Sequence, residues 1–154
     1  MQKPTRLSPD SAAIPQVLSL VQRSFAFMEG RTDPPSSMHR LTEDAIAQHC
    51  RTGEVWTMDD PVTACIFLTL KPETLYVGKL AVDATMRGRG LARKLIQHAE
   101  LRAHALNLSA LEVEVRIELT ENHRTFDRMG FVKTAEAAHE GYHRPTYFIL
   151  RKPL

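Results

Sequence analysis

The stretch Leu80-Ala-Val-Asp-Ala-Thr-Met-Arg-Gly-Arg-Gly-Leu-Ala92 decides how the rest of this chain is read. Val82 closes an apolar run of strand character. Arg87, Gly88, Arg89 and Gly90 then make a basic, glycine-rich turn, and Leu91 opens an amphipathic segment. Strand, turn and helix in that order build an anion site. The first N–H groups of a helix have no intrahelical partner, and the helix dipole places partial positive charge beside them. Gly88 and Gly90 let the main chain come close to the anion, and Arg87 and Arg89 add charge. Two other phosphate motifs are excluded. The chain has neither Gly-x-x-x-x-Gly-Lys-Ser/Thr nor Gly-x-Gly-x-x-Gly with a later acidic partner.

Outward from this turn the elements follow by periodicity. Downstream, Leu91, Ala92, Leu95, Ile96, Ala99, Ala103 and Leu106 recur at helical spacing, so one helix face packs on a sheet. Leu111, Val113, Val115, Ile117 and Leu119 alternate with Glu112, Glu114, Arg116 and Glu118, a strand with one polar face. A short helix over Asn122 to Met129 ends at Gly130, where a left-handed cap belongs, and strands follow over Phe131 to Ala137 and Thr146 to Lys152. Upstream, Val55 to Met58, Val62 to Leu70 and Leu75 to Val82 read as an antiparallel meander broken by Asp-Asp-Pro and Lys-Pro-Glu-Thr turns. Thr5 to Leu7 is a first short strand. Asp10 or Ser11 caps a helix toward Phe27, with Pro15 in its first turn. Thr42 reopens a helix toward His49 beyond the glycine- and proline-bearing loop Glu29 to Ser37. A strand, helix and strand over Leu75 to Leu119 make a parallel crossover, and the phosphate turn lies at the carboxyl end of its first strand, where open α/β sheets bind ligands.

The spacing Arg87-x-x-Gly90-x-Ala92 after Leu80-Ala81-Val82, together with Asn122-His-Arg-Thr-Phe126-Asp-Arg-Met-Gly130-Phe131, resembles the GNAT superfamily of N-acetyltransferases. Nearly the whole chain threads onto that family's element order. The resemblance implies one domain over residues 1–154, α/β (α+β) in class, with a mixed, mostly antiparallel central sheet flanked by helices on both faces. It implies acetyl-coenzyme A as cosubstrate, its pyrophosphate on Arg87, Gly88, Arg89, Gly90, Leu91 and Ala92. The backbone of Leu80, Ala81 and Val82 would donate to the thioester oxygen, and Asn122 would contact the pantetheine arm. Many members carry a tyrosine four residues before the glycine, where it protonates the departing thiolate. Here that position is Phe126, expected to pack behind the cofactor arm.

Acetyl transfer needs a neutral amine, and lysine-like amines have a reference pKa of about 10.4, so a base helps at neutral pH. Glu114 is the preferred base, because it sits mid-strand on the polar face expected to flank the thioester. Arg116 shares that face and is a partner for it. Glu29 is the rival base. Glu29, Arg31, Asp33 and His39 lie in the loop over which acceptors of the family approach, and are placed to select a charged acceptor. With phenylalanine at position 126, Tyr142 in His-Glu-Gly-Tyr-His-Arg, or water, is left as the acid.

Composition bounds the partners. The 154 residues are 43% hydrophobic and 25% charged with a net charge of +2, as expected of a chain that buries one core. Basic residues are scattered and aromatics are 6%, so a nucleic-acid surface of stacking rings and continuous positive charge is not expected. No apolar stretch reaches the roughly 18 residues of a membrane span, and the first ten residues lack a signal-peptide core, so a cytoplasmic setting is expected. Cys50 and Cys65 are isolated, reading as free thiols, and His139 with His143 on a loop does not make a metal site. The expected acceptor is a small-molecule or peptide amine, and the resemblance allows a homodimer. A catalytically weak acyl-coenzyme A sensor is the alternative to an enzyme.

Overall fold

The structure, a computed structural model, describes residues 3–154; the side chain of His39, a predicted acceptor-loop residue, lies outside that description. Seven strands are β1 (Thr5–Arg6), β2 (Glu54–Met58), β3 (Ala64–Leu70), β4 (Thr74–Val82), β5 (Ala110–Arg116), β6 (Val132–Ala137) and β7 (Tyr147–Pro153). They form one sheet in the order β1-β2-β3-β4-β5-β7-β6, antiparallel except for the β4–β5 pair. Among the described residues the α-helices are α1 (Ile14–Phe25), α2 (Glu43–Thr52), α3 (Leu91–Ala105) and α4 (Thr120–Arg128).

Alternation along β3 sends its neighbours into two different cores. Cys65 and Phe67 meet Val17, Leu20 and Val21 of α1 and Ile46 of α2 on one face. Ile66 and Leu68 meet Leu95, Ile96, Ala99 and Ala103 of α3 on the other, together with Leu75, Val113, Val115 and Phe131. A strand buried on both sides must be apolar throughout, which is why Ala64 to Leu68 is hydrophobic at every position. The expected mixed sheet with helices on both faces is the one observed.

Several local expectations shift for physical reasons. Pro15 does occupy the first turn of α1, but the N-cap is Ala13 and makes no side-chain cap; Ser11 Oγ instead accepts from Ala13 N at 3.1 Å, one turn early. Thr42 caps α2 by accepting from Ala45 N. The strand expected to run to Leu119 stops at Arg116, because Leu119 N turns back to donate to Arg116 O at 3.1 Å. Gly130 carries φ +94° after α4, the left-handed stop that its position suggested.

Candidate functional site

The turn after β4 is held from below. Asp83 Oδ1 accepts from Thr85 N at 3.0 Å and from Thr85 Oγ1 at 2.8 Å, and Arg23 of α1 reaches Asp83 Oδ2 at 3.1 Å. These contacts, the Thr85 backbone N–H foremost, hold the Asp83 carboxyl down to about 2. Above this brace the chain passes through Gly88 at φ +79° and Gly90 at φ +77°, the latter serving as N-cap of α3. A side chain is strained at both angles, yet a Cβ at either glycine meets no heavy atom within 4 Å. The backbone is therefore bent around open space. Among the described residues, the amides of Arg87 to Gly90 find no acceptor, and the first amides of α3 have none by helix geometry. Exposed Arg87 and Arg89 flank them, while buried Leu91 anchors the helix. Convergent unpaired N–H groups, open space and positive charge fit a pyrophosphate.

A slot leads away from this turn. β4 and β5 pair from Thr74 with Ala110 only as far as Val77 with Val113. Gly78 is the bulged residue that breaks the register with β3, where Phe67 pairs with Lys79 and Leu68 with Val77. Beyond it β4 keeps β3 as partner through Val82, and β5 keeps β7 through Arg116 with Tyr147, but the two strands no longer pair with each other. Their facing edges line a gap with backbone groups free for an extended guest. Leu80 and Val82 turn toward α3, and Ala81 toward α1. On the α3 side, α4 supplies half-buried Asn122 and Phe126, whose ring meets Phe131 edge-on with centroids 5.3 Å apart.

The opposite face carries the polar groups. Tyr76, Glu112, Glu114, Arg116 and Tyr147 share it by register. Glu112 is buried between Lys71 at 2.6 Å and Arg151 at 3.1 Å, so its carboxylate is committed. Glu114 is exposed and has no ion-pair partner among the described residues. Burial and then the neighbouring Glu114 carboxylate, as charge and as hydrogen-bond acceptor, push the Tyr76 phenol far up, so it remains a donor. His139 also faces this group: burial, then Arg116, lowers its pKa, against the opposing pull of Glu114 and Glu118. Thr146 Oγ1 accepts from His139 N at 2.9 Å and lies 2.5 Å from His139 Nδ1, so both the backbone and the ring of His139 are tied to Thr146.

The acceptor loop brings some predicted residues together and separates others. Arg116 donates to Pro34 O and, at 3.3 Å, to Pro35 O. Tyr142 donates to Asp33 Oδ1 at 2.5 Å and Arg144 to Asp33 Oδ2 at 2.8 Å. The Tyr142 bond is the main reason the Asp33 carboxyl is lowered and the Tyr142 phenol raised. Arg31 pairs with Glu121 at 2.7 Å. Glu114, Arg116, Asp33 and Tyr142 thus gather at one end of the sheet, while Glu29 stands apart at the rim of a cavity beside α1. Sequence reasoning missed Tyr76 and His139. The alternation Leu75-Tyr76-Val77 would have put Tyr76 on the polar face; His139 had no local signal. Among the described residues no three His, Cys, Asp or Glu side chains gather as a metal group, and no helix is long and apolar enough to cross a membrane.

A phosphate-receptive turn feeding a slot between two parting parallel strands is the architecture of an acyl-coenzyme A-dependent transferase. Residues 14–131 match the acetyltransferase (GNAT) family, and the chain belongs to it: it is a GNAT-type N-acetyltransferase, with acetyl-coenzyme A as cosubstrate. Among curated proteins, none matches the chain in sequence. Solved structures are similar over their full length. The PaiA N-acetyltransferase of Thermoplasma acidophilum, in complex with coenzyme A, has a TM-score of 0.81 at 11% identity, covering 100% of this chain and 99% of its own. The ribosomal-protein-S18-alanine N-acetyltransferase of Escherichia coli scores 0.73 at 18% identity, covering 99% and 94%. A GNAT family acetyltransferase of Elizabethkingia anophelis with acetyl-CoA bound scores 0.70 at 16%, covering 99% and 98%. At such identities the likeness is one of fold.

Proposed function

We propose that the protein transfers an acetyl group from acetyl-coenzyme A to a primary amine by direct attack in a ternary complex. The observation that carries this is the parting of β4 and β5 at Gly78, with the unpaired amides of Arg87 to Gly90 at one end of the slot and Glu114 on its acceptor face. Arg87, Gly88, Arg89, Gly90, Leu91 and Ala92 hold the pyrophosphate. The edge of Leu80 to Val82 holds the thioester, and Asn122 and Phe126 flank the arm. Glu114 accepts the ammonium proton, directly or through water, and Tyr76 donates to that carboxylate and fixes its direction. The free amine then attacks the thioester carbon. The carbon–sulfur bond breaks, backbone N–H groups of β4 stabilise the developing oxyanion, and the second proton shed by the attacking nitrogen passes through water to the departing thiolate. A thiol with a reference pKa of about 8.5 leaves readily enough for this. Tyr142, whose proton is committed to Asp33, holds loops together in this scheme.

The acceptor is a small-molecule or peptide amine, and the reading keeps the cytoplasmic setting expected from the sequence. One observation favours a second reading, a sensor of acyl-coenzyme A: Phe126 leaves α4 without the hydroxyl that would serve the thiolate. Calorimetry with acetyl-coenzyme A, followed by thiol release against mixed primary amines, separates the two. Binding with amine-dependent release is expected. Binding with release that ignores the amine contradicts the transferase reading.

A further inference from the structure

The acceptor loop has two sides with different chemistry. On the side toward the sheet its charges are matched within the chain. Arg116 holds the Pro34 and Pro35 carbonyls, Arg31 holds Glu121, Asp33 sits between Tyr142 and Arg144, and Glu118 Oε2 accepts from Asp33 N at 3.0 Å. The guanidiniums of Arg31, Arg116 and Arg144 are thus each engaged by groups of the chain itself. On its other side the loop walls a cavity of about 250 Å³ against the C-terminal end of α1. Phe25, Ala26, Pro35 and Met38 give it apolar walls, and Gln22 and Glu29 its polar rim. Among the described residues the exposed Glu29 carboxylate has neither a hydrogen-bond nor an ion-pair partner, its backbone N–H alone donating to Ala26 O at 3.1 Å.

Two contacts place this cavity at the mouth of the slot. Its wall residue Pro35 is bonded to Arg116, which follows Glu114 by two positions on the same strand face. Ser24 Oγ, from the stretch of α1 that forms the opposite wall, lies 3.5 Å from Val82 O at the end of β4. At about 30 Å³ per water-sized group, the space holds on the order of eight such groups, the small end of ligand cavities. A branched aliphatic side chain with its adjoining backbone fits that volume.

We infer that this cavity receives the substituent of the acceptor, and that the acceptor is an amine bearing a small apolar side group and no carboxylate, drawn in as a cation by Glu29. The inference rests on the acetyltransferase reading and narrows its substrate class. Apolar walls reward each buried methylene, while an anionic group would meet Glu29 in a lining that holds neither lysine nor arginine.

The test measures kcat/KM for leucinamide, glycinamide and leucine at saturating acetyl-coenzyme A, each corrected for its fraction of free amine. Leucinamide is expected to exceed glycinamide by at least about tenfold, and leucine to fall below both. Met38→Trp, which fills the cavity, is expected to lower kcat/KM for leucinamide about tenfold through KM, with acetyl-coenzyme A affinity retained as the sign of an intact fold. Glu29→Gln is expected to raise KM for leucinamide several-fold and to narrow the gap to leucine. Equal use of the three acceptors, or a preference for leucine, overturns this inference alone. Acetyl-coenzyme A binding with no transfer to any amine overturns the acetyltransferase reading as well.

Discussion

Glu112 and Glu114 lie two residues apart on one strand face, and their surroundings give them different work. Glu112 is buried and clamped by Lys71 and Arg151, so it is a structural anion. Glu114 is exposed at the point where β5 parts from β4, on the face it shares with Tyr76, whose phenol its charge helps to push up. Glu114→Gln keeps the shape and removes the basicity. It is expected to lower kcat by about 10²-fold or more, the usual scale of general base catalysis, while calorimetry finds acetyl-coenzyme A affinity unchanged. An unchanged rate removes Glu114 from the mechanism. Tyr76→Phe is expected to lower kcat by roughly tenfold with little change in KM for acetyl-coenzyme A, because it acts by orienting the carboxylate. At this scale the sequence was half legible. The period of two put Glu114 and Arg116 on a polar face, but nothing in it revealed that Arg116 would be held by two proline carbonyls, or that Tyr142 and Asp33 would bond to each other across 109 positions.

The turn and helix from Arg87 to Ala105 were the most legible element, since glycine placement, basic charge and helical periodicity are all local. Its geometry yields a specific expectation. At φ +77° and with no atom near a would-be Cβ, Gly90 leaves open the space beside the helix amides. Gly90→Trp puts a ring into that space, and acetyl-coenzyme A affinity should fall by two orders of magnitude or more with far-ultraviolet dichroism retained. A folded variant that binds as before would separate the turn from the cofactor. The splay of β4 from β5 was not legible, because it depends on Gly78 breaking register against β3, and pairing register between strands is a tertiary property. The early end of β5 was not legible either: Ile117 and Leu119 continue the alternation and Ile117 N still bonds to Thr146 O, but Leu119 N turns back to Arg116 O.

Across the whole molecule, the order of elements followed from hydrophobic patterning and turn residues, and the class of fold from the motifs that resemble the GNAT superfamily. What did not follow were the long-range polar ties. The largest joins α3 to β2: Arg102 grips buried Glu54 through two bonds, 2.8 and 2.7 Å, beside Trp56 Nε1 at 2.8 Å from the same carboxylate. Burial pushes the Glu54 carboxyl up, and the bonds from Arg102 and Trp56 outweigh it, so it ionises below the ordinary range. A carboxyl lowered on folding contributes stability that is complete above its unfolded pKa of about 4.3 and is lost as pH falls through the folded value. Arg102→Met leaves Glu54 buried without its cation and is expected to cost about 3 kcal/mol, a fall in Tm at pH 7 of roughly 5–10 °C. Calorimetric scans below pH 4 should show a shallower further loss than in the native protein; an equal acid slope would remove Glu54 as a contributor. The central claim, that the slot between β4 and β5 delivers an acetyl group to an amine, is tested most directly by mass spectrometry of the acceptor after incubation with deuterated acetyl-coenzyme A. Label is expected in an amide on the acceptor with the native protein, and none with Gly90→Trp. Label found only in free acetate, or retained on coenzyme A, would contradict it.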